Sequence, residues 1–174
     1  MKILNQKSKI LNCKNGFIFL EILIAIALVG IVFITLLGIG VQSLGLSYTI
    51  QKTTQIDSLL KEEMEATRSF RDGTNWSTDG LGVVSTGSAN PYHLILSGAF
   101  NPPKWILQTG IEAVGEFTRQ VVFDKVSRDP FTHDIESIYN TANDDSKTRK
   151  ITASVVYGGK TYQVIAYLTN WKNN

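Results

Sequence analysis

The chain has one cysteine, two histidines and four prolines among 174 residues. A single thiol, Cys13, cannot close an internal disulfide, so a folded domain here depends on packing alone. His93 and His133 occur in no metal-ligand spacing such as HExxH, and the sequence contains no GxSxG, no phosphate-cradling glycine loop and no cysteine pair. These signatures would mark zinc hydrolysis, nucleophilic serine chemistry and phosphoryl transfer, so no catalytic residue is assigned and no enzyme is expected. Ser97 near His93 reads as an ordinary strand serine.

Negative charge is also missing at the start. Lys2, Lys7, Lys9 and Lys14 precede Glu21, the first acidic residue. The whole chain carries +2, but without residues 1–16 there remain 13 basic against 15 acidic residues, a balance of −2. The basic excess therefore belongs to a short leading segment and is not a nucleic-acid signal. Lysines flanking a first apolar segment hold that end in the cytoplasm.

A long apolar run comes next in the chain. From Phe17 to Val41 only Glu21 and Thr35 interrupt the apolar and glycine positions. The run is about twice the 7–15 residues of a secretory signal, and it suits a spanning helix, which needs about 20 residues. At 1.5 Å per residue it reaches roughly 38 Å, enough to cross with some tilt. A lipoprotein signal is excluded by order, because the apolar run comes after Cys13 instead of before it. Within such a run a carboxylate costs about 2.5–3.5 kcal/mol on insertion scales, which makes Glu21 a functional candidate.

The junction supplies its context. A lysine- and asparagine-rich segment ends at Gly16, Phe17 opens the run, and Glu21 comes four residues later. Gly16, Phe17, Ile18, Phe19, Leu20 and Glu21, with the stretch to Val41, resemble the prepilin signal of type IV pilins and type II secretion pseudopilins. Ile18 and Phe19 depart from the commonest letters of that family; the glycine before an aromatic and the glutamate are present. The resemblance implies that a prepilin peptidase cuts between Gly16 and Phe17 at the cytoplasmic face. It implies that the same enzyme methylates the Phe17 amino group, and that Glu21 pairs with the N-terminal amine of a neighbouring subunit. In low dielectric an ammonium partner recovers much of the cost of a carboxylate, and only one axial register brings the two charges together. The opposing reading is a plain anchor whose glutamate snorkels to the interface.

Beyond the run, residues 42–71 contain no proline. Ile56, Leu59, Leu60, Met64, Thr67 and Phe70 form one helical stripe, with Lys61, Glu62, Glu65 and Arg68 on the other side. Asp72-Gly73 is a helix stop. The two segments predict a rod of roughly 55 residues, about 80 Å. Gly30, Gly38, Gly40 and Gly45 either soften it, at up to about 1 kcal/mol each, or allow close helix contact in the bilayer. After Gly73 a Gly-, Ser-, Thr- and Asn-rich stretch predicts a loop with a short strand near Gly82–Ser85. Strand-like segments begin at Tyr92, Lys104 and Glu116, and KITASVVY and KTYQVIAYL flank Gly158-Gly159 as a two-residue hairpin. Ile151, Ala153, Val155 and Tyr157 would share one face of the first arm, and Tyr162, Val164, Ala166 and Leu168 one face of the second.

The expected fold is α+β and pilin-like. A long N-terminal helix, membrane-spanning in its first half and amphipathic in its second, packs on a C-terminal antiparallel sheet of four or five strands. The corresponding segments are a leader at 1–16, an assembly helix at 17–41, a stem helix at 42–72 and an extracytoplasmic head at 73–174. The acidic Asn143-Asp144-Asp145 loop, the hairpin and the closing YLTNW resemble the heads of minor pilins and minor pseudopilins. The expected protein is a single-pass subunit of the cytoplasmic membrane that enters a pilus or pseudopilus, with the peptidase and other pilin subunits as partners.

No cofactor and no small-molecule substrate are expected. Asp134, Glu136, Asp144 and Asp145 are hard oxygen ligands that suit calcium, which some family members bind, but they lack the alternate spacing of a calcium loop. DNA binding of the competence-pilin kind would use Lys147, Arg149 and Lys150, or Arg119, Lys125 and Arg128, with Trp76, Trp105 and Trp171 to stack on bases. Asp124, Asp129, Asp144 and Asp145 blunt that field. A membrane-anchored binding module that never polymerises is the remaining alternative.

Overall fold

The computed structural model describes residues 14–172. Lys2, Lys7, Lys9 and Cys13 of the expected leader lie outside the described residues. The chain divides into two compact units, Met1–Gln51 and Lys52–Asn174, and one helix, α1 (Lys14–Gly73), contributes to both.

Among the described residues the first unit is helix alone. Its side chains from Phe17 to Ile50 are exposed, and most of them are Ile, Leu, Val or Phe. The helix is long and apolar enough to cross a membrane. Two of its hydroxyls bond locally: Thr35 Oγ1 donates to the Val32 carbonyl at 2.8 Å and Thr49 Oγ1 to the Gly45 carbonyl at 3.0 Å. Back-bonding of this kind lets a hydroxyl sit on an apolar helix without a stranded donor. The helix runs without interruption through Gly30, Gly38, Gly40 and Gly45.

In the second unit, the last part of α1 lies against a six-stranded antiparallel sheet. The strands are β1 (Tyr92–Ser97), β2 (Lys104–Thr109), β3 (Glu112–Val114), β4 (Phe117–Ser127), β5 (Asp144–Tyr157) and β6 (Lys160–Thr169). Five of them run in the order β2-β1-β4-β5-β6, and β3 pairs with the start of β4. The chain is thus α+β. The strand beyond the four or five expected is β3, whose three residues are too short to carry an alternation signal.

The stripe on α1 is the helix side of the core. Ile56, Leu60, Met64, Ala66 and Phe70 pack with Leu94, Val121, Phe123, Ile151, Ala153 and Val155 from the sheet. Register explains the sheet side: Phe123 faces Ile151 and Val121 faces Ala153, so alternate residues of neighbouring strands meet on one face. The β5–β6 hairpin closes at Tyr157 and Lys160 around Gly158 and Gly159, with φ of 56° and 75°. Two successive left-handed residues make the turn that matches strand twist, which glycine alone adopts without strain. On β6, Leu168 is buried and Tyr162 and Ala166 are half-buried, but Val164 is exposed because β6 is an edge strand.

Two local expectations are corrected. Residues 82–85 form turns, not a strand: the Gly82 amide bonds to the Trp76 carbonyl (2.9 Å) and the Val83 amide to the Gly80 carbonyl (3.3 Å), leaving no ladder. Asp144 and Asp145 are the first residues of β5, not loop residues, and Asp144 stands opposite Ser127. The closing YLTNW ties the end of the chain to the end of α1. Trp171 Nε1 donates to Asp72 Oδ1 (3.0 Å) and Lys172 Nζ to the Asp72 carbonyl (2.5 Å).

Candidate functional site

Gly16 and Phe17 lie within the first turn of α1, and Glu21 comes one turn later. Phe17 is 78% exposed and Glu21 is exposed. Residues four apart share a face of a helix, so Phe17 and Glu21 lie above one another on the same side. Ile18, Leu20, Ile22 and Leu23 flank that side with exposed apolar surface. Among the described residues Glu21 has neither an ion-pair nor a hydrogen-bond partner. A carboxylate on an apolar, outward-facing helix stretch needs a cation or access to water to offset its desolvation.

Several basic residues of the second unit are held by carboxylates or backbone carbonyls. Arg149 is buried, its Nη2 donating to the Gly82 carbonyl (2.8 Å) and its Nη1 to the Thr148 carbonyl (3.1 Å), while its guanidinium lies 6.0 Å from the Trp76 ring centroid. Burial pulls its pKa below the ordinary arginine value, and the carboxylates of Asp144 and Asp145 oppose that. Arg119 is buried beneath α1. Arg128 Nε donates to Asp145 Oδ2 (2.7 Å), and Lys150 stands 3.8 Å from Asp124. Trp76 is buried, Trp105 is half-buried, and Trp171 is exposed but bonded to Asp72. Arg119, Arg128, Arg149 and Lys150, among the residues considered for DNA, thus have partners within the second unit.

Three of the four candidate calcium ligands accept hydrogen bonds from neighbouring groups. Asp145 accepts from Arg128, Thr148 and the Lys147 amide; Asp144 accepts from Tyr139; Glu136 Oε1 accepts from Asn143. Among the described residues no group of three His, Cys, Asp or Glu side chains is arranged to hold a metal ion.

One cluster was not anticipated from the sequence. Glu63 sits on the α1 stripe between Leu60 and Thr67 and is 1% exposed. Arg119 Nε lies 2.9 Å from Glu63 Oε1 and 2.6 Å from Glu112 Oε2, and Arg119 Nη1 lies 3.1 Å from Glu62 Oε1. Three carboxylates therefore share one guanidinium. Neither oxygen of Glu63 accepts a hydrogen bond of ordinary geometry. Burial pushes the Glu63 pKa up to about 7; Arg119 opposes this, Glu112 and Glu62 add to it, and the Leu94 backbone N–H opposes it. The missed signal was positional, since 63 is three residues past Leu60 and four before Thr67.

No family model matches the chain, and neither a curated protein nor a solved structure matches it.

Proposed function

We propose that this chain is a structural subunit, a minor pilin or pseudopilin, of a type IV pilus-like or type II secretion-like filament. In this reading residues 1–16 are a leader removed by prepilin peptidase, and the amine of Phe17 is methylated. The segment 17–41 is the transmembrane and assembly helix, 42–72 the stem, and 73–174 the extracytoplasmic head. The protein is the substrate of the peptidase and not a catalyst, and its mechanism is assembly. Glu21 pairs with the N-terminal amine of an adjoining subunit, which fixes the axial stagger between helices.

The observation that carries the proposal is Glu21 itself, partnerless among the described residues on an outward-facing apolar helix one turn from Phe17. A chain used only as an anchor gains nothing from such a charge, whereas an assembly helix gains both attraction and register. The test is Glu21→Leu in the native host, with membrane fractionation and recovery of sheared filaments as readouts. Normal insertion with loss of the subunit from filaments supports the proposal. Unaltered filament incorporation, or unaltered function of a protein that forms no filament, refutes it in favour of the anchored binding module.

A further inference from the structure

The Glu63 cluster goes beyond assembly, because it lies in the second unit and joins α1 to the sheet. Three carboxylates and one guanidinium leave a buried negative excess. Glu62 and Glu112 reach solvent, with 45% and 29% of their side chains exposed, whereas Glu63 does not. Water can stabilise the charge on Glu62 and Glu112 but not that on Glu63, which is 1% exposed.

We propose that Glu63 is a proton-operated latch between α1 and the sheet, holding a proton while the helix is seated and loosening that packing when it ionises. The groups facing it account for the behaviour. Glu62 comes from its own helix, Arg119 from β4 and Glu112 from β3, while β1 offers only the Leu94 backbone N–H. The guanidinium is already bound by the two outer carboxylates, so it neutralises Glu63 only in part. A proton on Glu63 removes the one carboxylate charge that water does not reach, without requiring space, and converts one Glu63 oxygen from acceptor to donor.

The direction comes from linkage. A carboxyl whose pKa rises from 4.5 to about 7 on folding binds more protons in the folded state across that interval. Its contribution is fully present below pH 4.5 and is lost as pH rises through about 7. From pH 5 to pH 8 the unfolding constant of the second unit should rise by about tenfold to a hundredfold through this group.

The experiment uses the full-length protein in detergent, unfolded with urea at pH 5 and pH 8 and monitored by tryptophan fluorescence. Glu63→Gln is compared with wild type, since glutamine keeps the shape and cannot titrate. The proposal expects the tenfold-to-hundredfold difference in wild type and its disappearance in the variant. Equal pH dependence in both overturns it. Infrared spectroscopy of wild type gives a second readout should the variant not fold. A protonated carboxyl band present at pH 6 and gone by pH 8.5 supports the latch, and its absence at pH 6 overturns it. Added calcium that restores the low-pH stability at pH 8 also overturns it, because the missing charge would then be a metal's.

Discussion

Replacing Arg149 with glutamine separates two roles a basic residue at this position can have. Its Nη2 bond to the Gly82 carbonyl is charge-assisted and buried, and such bonds contribute about 1.5–3 kcal/mol each. The Nη1 bond to the Thr148 carbonyl is longer, and the guanidinium over Trp76 adds about 1–2 kcal/mol when desolvated. Against this stands the cost of burying the charge, which is already expressed in the lowered pKa of Arg149. Glutamine keeps part of the stem and one donor group but cannot bridge both carbonyls. The net expectation is a loss of about 2–4 kcal/mol. Urea denaturation of the full-length protein in detergent reads this directly, with Lys125→Gln as an exposed control expected to change stability by less than about 0.5 kcal/mol. Binding to DNA should not depend on residue 149. An Arg149→Gln protein of unchanged stability that loses a salt-sensitive affinity for DNA would refute the reasoning.

Three further expectations rest on other parts of the molecule. Gly82→Ala would place a Cβ 2.4 Å from the Trp76 carbonyl oxygen and 2.6 Å from Trp76 Cδ1; thermal unfolding should show a loss of about 1–3 kcal/mol. At Gly38 and Gly40 an added Cβ meets nothing within 4 Å, so the double Gly→Ala variant should insert normally with a slightly stiffer helix. Loss of its incorporation into filaments would assign these glycines to close contact with other helices. Burial raises the Asp145 pKa, but hydrogen bonds from Thr148 and Arg128 more than offset it and hold it below the ordinary aspartate range. Its contribution is present above the unfolded value of about 3.9 and is lost as pH falls below it. Amide exchange over residues 136–148, measured by NMR, should therefore accelerate on acidification, and Asp145→Asn should remove that acceleration.

Much of the fold was legible because the relevant signals are periodic. The stripe from Ile56 to Phe70 repeats at helical spacing, and the strand around Ile151, Ala153 and Val155 alternates, so each face could be read from the order of residues. The Gly158-Gly159 turn was legible because its backbone geometry demands residue types that few other positions demand. The buried charges were not read, although the same periodicities reach them. Arg119 alternates with Phe117 and Val121, and Arg149 with Ile151, so each falls on an inward-facing position. Charge suggested solvent or phosphate, and the packing against carboxylates and carbonyls depends on contacts distant in sequence. Glu63 was missed for the same reason, its partners being 49 and 56 residues away at Glu112 and Arg119. The proposed assembly residues are local, a glycine, an aromatic and a glutamate within six residues, so that proposal draws on the sequence and not on the head's packing.

The most direct measurement is intact-mass and N-terminal peptide mass spectrometry of the protein purified from the membranes of its native host. A mature chain that begins at Phe17 with a methylated amine is the predicted result. A chain that retains Met1, or one trimmed at any bond other than Gly16–Phe17, would contradict the account, because Glu21 would then have no freshly exposed amine four residues away to match on its neighbour.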